Sequence, residues 1–180
     1  MVDKPPAVLP LADAASLPVA ERWSVARTKS RCEKALAEYF SELRVPYFLP
    51  LVANRRIYGR HIRRSRLPLF PGYLFFDDAI LPRQRVFESR KVAEVLAPPD
   101  PEQLRAELEN LALALSVDDS LREARFGDIG REVSIKRGPF KGLHGRLTRY
   151  ASRCVLVVQV SFLGKAAELE IDEAFVEPTR

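Results

Sequence analysis

Glycine placement constrains this chain more than any other feature. Six of its eight glycines (Gly127, Gly130, Gly138, Gly142, Gly145 and Gly164) fall after residue 126. Glycine adopts left-handed backbone angles without steric cost, so a glycine-dense segment with alternating apolar residues reads as short strands joined by tight turns. REVSIK, CVLVVQVSF and AELEI supply that alternation, and about five strands in so short a stretch suggest a small SH3-like barrel with no deep pocket. The glycine-poor part from Glu21 to Leu115 instead alternates strand and helix periodicities. The 180 residues are expected to divide into a flexible tail over 1–19, a first domain over 20–115, a polar linker over 116–125 and a second domain over 126–180.

Local signals place the elements of the first domain. WSVART (23–28) alternates like a strand. Ser30 and Glu33 have capping-box spacing ahead of Cys32, Ala35, Leu36, Tyr39, Phe40 and Leu43, which recur at helical intervals. VPYFLPLV is β-like, and the arginine-rich stretch after it, with Gly59 near its middle, predicts a projecting hairpin. LPLFPGYLFF is also β-like, but Pro68, Pro71 and Gly72 predict a kinked or edge-located strand. A short helix is expected near Pro82, a strand at VAEVLAP, and a final helix with Asp100 as N-cap, Pro101 in its first turn and Leu104, Leu108, Leu111 and Leu115 on one face. The sum is a small α+β sandwich of an antiparallel sheet with helices.

Charge is segregated along the chain. From Arg44 to Arg66 there are Arg44, Arg55, Arg56, Arg60, Arg63, Arg64 and Arg66 and no acid, whereas 94–119 is acidic apart from Arg105. A net charge of +5 distributed this way favours a polyanion on one side of the molecule. Arg55, Arg56, Arg60, Arg63, Arg64 and Arg66 are therefore the candidate nucleic-acid contacts, because a planar guanidinium matches phosphate geometry. Tyr58 and His61 add stacking partners for an unpaired base.

Other classes find little support. Cys32, Cys154, His61 and His144 stand far from any partner at ligand spacing, which argues against a zinc site, a disulfide framework or a histidine-based triad, and reads as reduced thiols in the cytoplasm. No apolar stretch approaches the roughly 20 residues of a membrane span. The adjacent acids Asp77 and Asp78 are weak support for a magnesium-dependent nuclease. No catalytic residue, metal or cofactor is expected.

Three features in order resemble the NusG family of transcription elongation factors. These are Trp23 opening the first strand, Pro68-Leu69-Phe70-Pro71-Gly72-Tyr73-Leu74-Phe75 after a basic hairpin, and the segment Gly130–Leu147, which is similar to a KOW motif with its Gly138-Pro139-Phe140 turn. The resemblance implies a NusG N-terminal α/β sandwich followed by an SH3-like KOW β-barrel, in a monomeric, non-enzymatic cytoplasmic factor. It implies that the first domain docks on the clamp helices of bacterial RNA polymerase through Phe70, Pro71, Tyr73 and Phe75, near upstream or non-template DNA or nascent RNA, and opposes pausing. Arg83, Gln84 and Arg85 match a region where relatives approach another part of the polymerase or the non-template strand. The KOW domain would recruit Rho or a ribosomal protein through Phe140, Phe162 and Leu163; here Leu163 replaces the usual aromatic before the glycine. The proline-rich N-terminal tail, the strongly basic hairpin and this altered KOW turn suggest a specialised antiterminating paralog. In one specialised relative the second domain is stored as a helical hairpin over the polymerase site, but the glycines and Val155, Val157, Val158 and Val160 disfavour helix here. The competing class is a ribosome-associated or free RNA-binding KOW protein.

Overall fold

The computed structural model describes residues 17–58, 61–124, 130–150 and 153–178. Residues 1–16 of the expected tail lie outside this set, whereas Leu17 packs against the core and Ala20 is buried within it.

Alternation in β1 (Trp23–Thr28) and β5 (Tyr73–Asp77) builds the centre of the first sheet. The two strands pair antiparallel, with β2 (Tyr47–Phe48) outside β5 and β6 (Val92–Leu96) outside β1. Successive side chains of a strand point to opposite faces, so each strand feeds two cores. Ala26, Leu74 and Phe76 meet Leu36, Ala37 and Phe40 of α1 (Glu33–Glu42) and Val86 of α2 (Arg83–Glu88). Phe40 and Phe76 stack there with ring centroids 5.1 Å apart. On the opposite face Trp23, Val25 and Phe75 meet Leu104, Leu108 and Leu111 of α3 (Pro101–Val117).

Two local readings are corrected. LPLFPGYLFF is divided, because Pro68 ends one strand and Leu69–Gly72 form a turn that takes up Pro71, and the strand that resumes at Tyr73 is interior rather than at an edge. The N-cap of α1 is Cys32, with no side-chain cap, because Arg31 takes a positive φ of 59° and detaches Ser30 from the first helical turn. By contrast, Asp100 caps α3 as its sequence predicts, its carboxylate accepting from the Gln103 amide at 2.9 Å.

The second half of the described chain is a six-stranded antiparallel sheet. In chain order its strands are β7 (Arg122–Ala124), β8 (Arg131–Ile135), β9 (His144–Tyr150), β10 (Arg153–Val160), β11 (Lys165–Ile171) and β12 (Val176–Pro178). They are ordered β12-β8-β9-β10-β11-β7. The expected β-content is present, and among the described residues no ladder joins β12 to β7, so the ladders do not close the expected barrel. Gly145 permits the tight β9–β10 contact, since a Cβ there would lie 2.5 Å from the Val157 carbonyl oxygen.

The expected linker over 116–125 is largely structured. α3 runs to Val117, Leu121 is buried, and Arg122–Ala124 become β7 on the edge of the second sheet. The two sheets are also not separate in packing. Val133, Ile135, Leu143, Leu147, Leu156, Val158 and Val160 belong to the same buried cluster as Trp23, Phe75 and the α3 leucines. Because Leu108 sits inside that shared cluster, Leu108→Ala is expected to cost about 2–5 kcal/mol. Denaturant unfolding followed by Trp23 fluorescence and by amide exchange in β10 should then show both signals weakened together. Loss confined to the Trp23 signal would mean the two sheets unfold independently.

Candidate functional site

The acid-free arginine stretch folds into a two-stranded ribbon of β3 (Leu51–Tyr58) and β4 (His61–Pro68). Its ladder pairs Leu51 with Pro68 at the root and Tyr58 with His61 at the far end. The register sets Arg55 across from Arg64 and Arg56 across from Arg63. Like charges at directly opposed positions destabilise such a ribbon, and a bound polyanion relieves that cost. Arg60 lies outside the described residues, as do the side chains of Arg56, Tyr58, Arg63 and Arg64. Arg55 and His61 are exposed. Arg66 is half-exposed and lies 3.8 Å from Asp119, a residue that arrives from the segment after α3.

The ribbon returns into the turn that precedes β5, where the candidate docking residues divide. Phe70 and Phe75 have no exposed surface and belong to the core under α3. Tyr73 is half-buried with the Lys165 ammonium 5.7 Å from its ring centroid, and Pro71 is exposed. Of the four, Phe70 and Phe75 are therefore core in this arrangement, and Pro71 and Tyr73 are the ones with accessible surface. Strand alternation sends Tyr73 and Phe75 to the same face, and α3 covers that face. The turn itself is held by a residue that sequence reasoning placed elsewhere. Glu33, buried at the start of α1, accepts from the Gly72 amide at 2.7 Å, while the Gly72 carbonyl accepts from the Thr28 amide at 2.8 Å. Gly72 has φ +87°, a conformation that strains residues bearing a Cβ.

Residues 21–104 match the family model described as transcription termination factor nusG. This segment is a NusG-family domain. The match spans β1 to the first turn of α3, so it contains the arginine ribbon and the Phe70–Phe75 turn, and it stops before the second sheet. No curated protein matches the chain.

The second sheet is fastened to α3, beyond the matched segment, by polar contacts. The Asn110 side-chain amide donates to the His144 carbonyl at 2.6 Å and accepts from the His144 amide at 2.9 Å, acting as a neighbouring strand would. Glu107 accepts from the Ser161 amide at 3.0 Å. Ser161–Leu163 is a single 3-10 turn, and it carries two of the candidate partner contacts, Phe162 and Leu163. Both are half-buried and pack against the shared core, as does Phe140. Arg83 donates to the Val95 carbonyl and Arg85 pairs with Glu88 at 2.9 Å, so these two arginines make contacts within the NusG-family domain.

Asp77 and Asp78 organise the chain where it enters β1. Asp77 accepts from the Glu21 amide at 2.8 Å, the Ala79 amide at 3.0 Å and the Arg22 amide at 3.3 Å. Asp78 accepts from the Ser24 hydroxyl at 2.7 Å and from the Arg22 guanidinium, a hydrogen bond that raises the arginine pKa above its ordinary value.

Glu33→Ala is expected to cost about 1–3 kcal/mol, because it removes the acceptor of the Gly72 amide, while Glu33→Gln should retain most of the stability. Urea unfolding of the two variants checks this. Replacing both Glu107 and Asn110 with alanine should speed amide exchange at Ser161 and His144 while leaving β1 and β5 protected.

Proposed function

We propose that the chain is a transcription elongation and antitermination factor that binds bacterial RNA polymerase through its NusG-family domain. The observation that carries this reading is an acid-free arginine ribbon set within that domain, immediately before the Phe70–Phe75 turn. In the polymerase-bound state the clamp helices rest on the turn, with exposed Pro71 and the edge of Tyr73 making first contact and Phe70 and Phe75 supporting them from the core. The ribbon reaches along upstream DNA, the non-template strand or nascent RNA, where phosphates neutralise its opposed arginines. The factor suppresses pausing by holding the polymerase and the nucleic acid together. It does so without covalent chemistry.

The second sheet acts as a KOW module that recruits a further factor, such as Rho or a ribosomal protein, through Phe140, Phe162 and Leu163. Because the three pack against the shared core, recruitment through their full surface takes a step in which the sheet first leaves α3. No helix among the described residues is long and apolar enough to cross a membrane. As a polymerase partner, the protein works in the cytoplasm as a monomer.

Capture of core RNA polymerase by the full chain after nuclease treatment tests the reading. Tyr73→Ala together with Pro71→Ala is expected to reduce capture at least tenfold in a protein that still melts cooperatively. Undiminished capture would remove the turn from the interface, and no capture by the native chain would favour the free RNA-binding reading. Charge reversal at Arg55, Arg64 and Arg66 should weaken nucleic-acid binding and lower its salt dependence, by about 0.7–0.9 in the log–log slope for each phosphate that is no longer neutralised.

A further inference from the structure

The root of the arginine ribbon and the segment after α3 enclose a cleft of about 550 Å³ lined by Ala53, Asn54, Arg55, Ser65, Arg66 and Asp119. That size falls within the roughly 300–1,000 Å³ of small-ligand sites. Its two walls are joined through the backbone, the Ala53 amide donating to the Asp119 carbonyl at 2.7 Å. The polar groups inside are only partly used. Arg66 and Asp119 lie 3.8 Å apart, beyond hydrogen-bond distance, with side chains 40% and 49% exposed. Asn54 donates to the Ser65 hydroxyl at a long 3.3 Å, leaving its carbonyl oxygen available. Arg55 is exposed.

Asp119 is the one carboxylate that lines this cleft, and it shares the lining with Arg55 and Arg66, in a surface otherwise suited to phosphate. An acid weakens a plain phosphate site by repulsion, so its place in this cleft calls for a ligand that brings hydrogen-bond donors as well as negative charge. A nucleotide does both. Among the nucleobases, guanine has two adjacent donors on its pairing edge, N1–H and N2–H, which match the two oxygens of one carboxylate. Adenine, cytosine and uracil each present a single donor there.

We propose that this cleft takes one unstacked guanine of a single nucleic-acid strand, with Asp119 on its pairing edge and Arg55 and Arg66 on the flanking phosphates. Asn54 and Ser65 meet the carbonyl side of the base or the sugar. A duplex buries the pairing edge, so the ligand is single-stranded, and the arginines further along the ribbon carry the rest of the strand. The inference rests on the nucleic-acid reading of the ribbon and adds to it a base preference and a residue outside it.

The test is fluorescence anisotropy of the full chain with a twelve-nucleotide oligouridine and with the same strand carrying one central guanine. Ribose and deoxyribose versions are both measured, the latter with thymine for uracil. The guanine strand is expected to bind about tenfold more tightly, within the range of one good bidentate base contact. Asp119→Asn keeps the main-chain acceptor of Ala53 and replaces one carboxylate acceptor by a donor. It should abolish the preference without weakening the guanine-free strand. Arg55→Ala should weaken both strands together. Equal binding of the two strands, or a preference that survives Asp119→Asn, overturns the inference and leaves the ribbon's role standing. No binding of either strand overturns both. A preference in the ribose strand, the deoxyribose strand or both supports the site and identifies the strand it reads.

Discussion

Burial of the α3 leucines is the interaction on which the rest of the structure depends. Leu104, Leu108 and Leu111 occupy one helix stripe, yet the cluster they belong to includes Trp23 and Phe75 of the first sheet and Leu156 and Val158 of the second. Each fully buried leucine contributes roughly 1.5–3 kcal/mol of transfer free energy, and here the same groups stabilise two sheets. A small sheet buries little apolar surface of its own, so the shared cluster supplies what it lacks. Asn110 and Glu107 add direction to this apolar contact, because each holds a particular backbone group of the second sheet.

That arrangement sets what the two candidate surfaces can do. The arginine ribbon has no acid within its own stretch, and Asp119 approaches it from the segment after α3. In the apolar turn before β5 the two phenylalanines are committed to the core, the tyrosine shares its ring with Lys165 of the second sheet, and Pro71 stands outside. Binding at the ribbon therefore requires no rearrangement of the fold, whereas full exposure of the turn requires α3 and the second sheet to give way. Asp119 links these regions, since it borders the ribbon and lies a few residues before β7.

Much of the local structure was legible because it depends on neighbours in sequence. Trp23–Thr28 is a strand, Pro101–Val117 is a helix capped by Asp100, and the second half is β-structure, each as alternation, spacing and glycine density indicate. The misreadings have a common origin. Glu33 has the spacing of a capping-box partner, but the positive φ at Arg31 moves the helix start and frees its carboxylate for Gly72, a residue 39 positions away. Residues 116–125 have the composition of a linker, yet a free edge on β11 recruits Arg122–Ala124 as a strand. Phe70 and Phe75 belong to an aromatic signature that looks like a surface, and which side of the sheet α3 covers decided that they are core.

The sequence by itself determined the periodicities, the segregation of charge and the family to which residues 21–104 belong, because each of these is a property of order along the chain. Tertiary structure alone decided the sharing of one core by two sheets, the division of the aromatic turn into buried and exposed members, and the meeting of Arg66 with Asp119. The reason is physical: burial and approach are set by which faces pack together, and residues 53 positions apart carry no local signal that they will line one cleft.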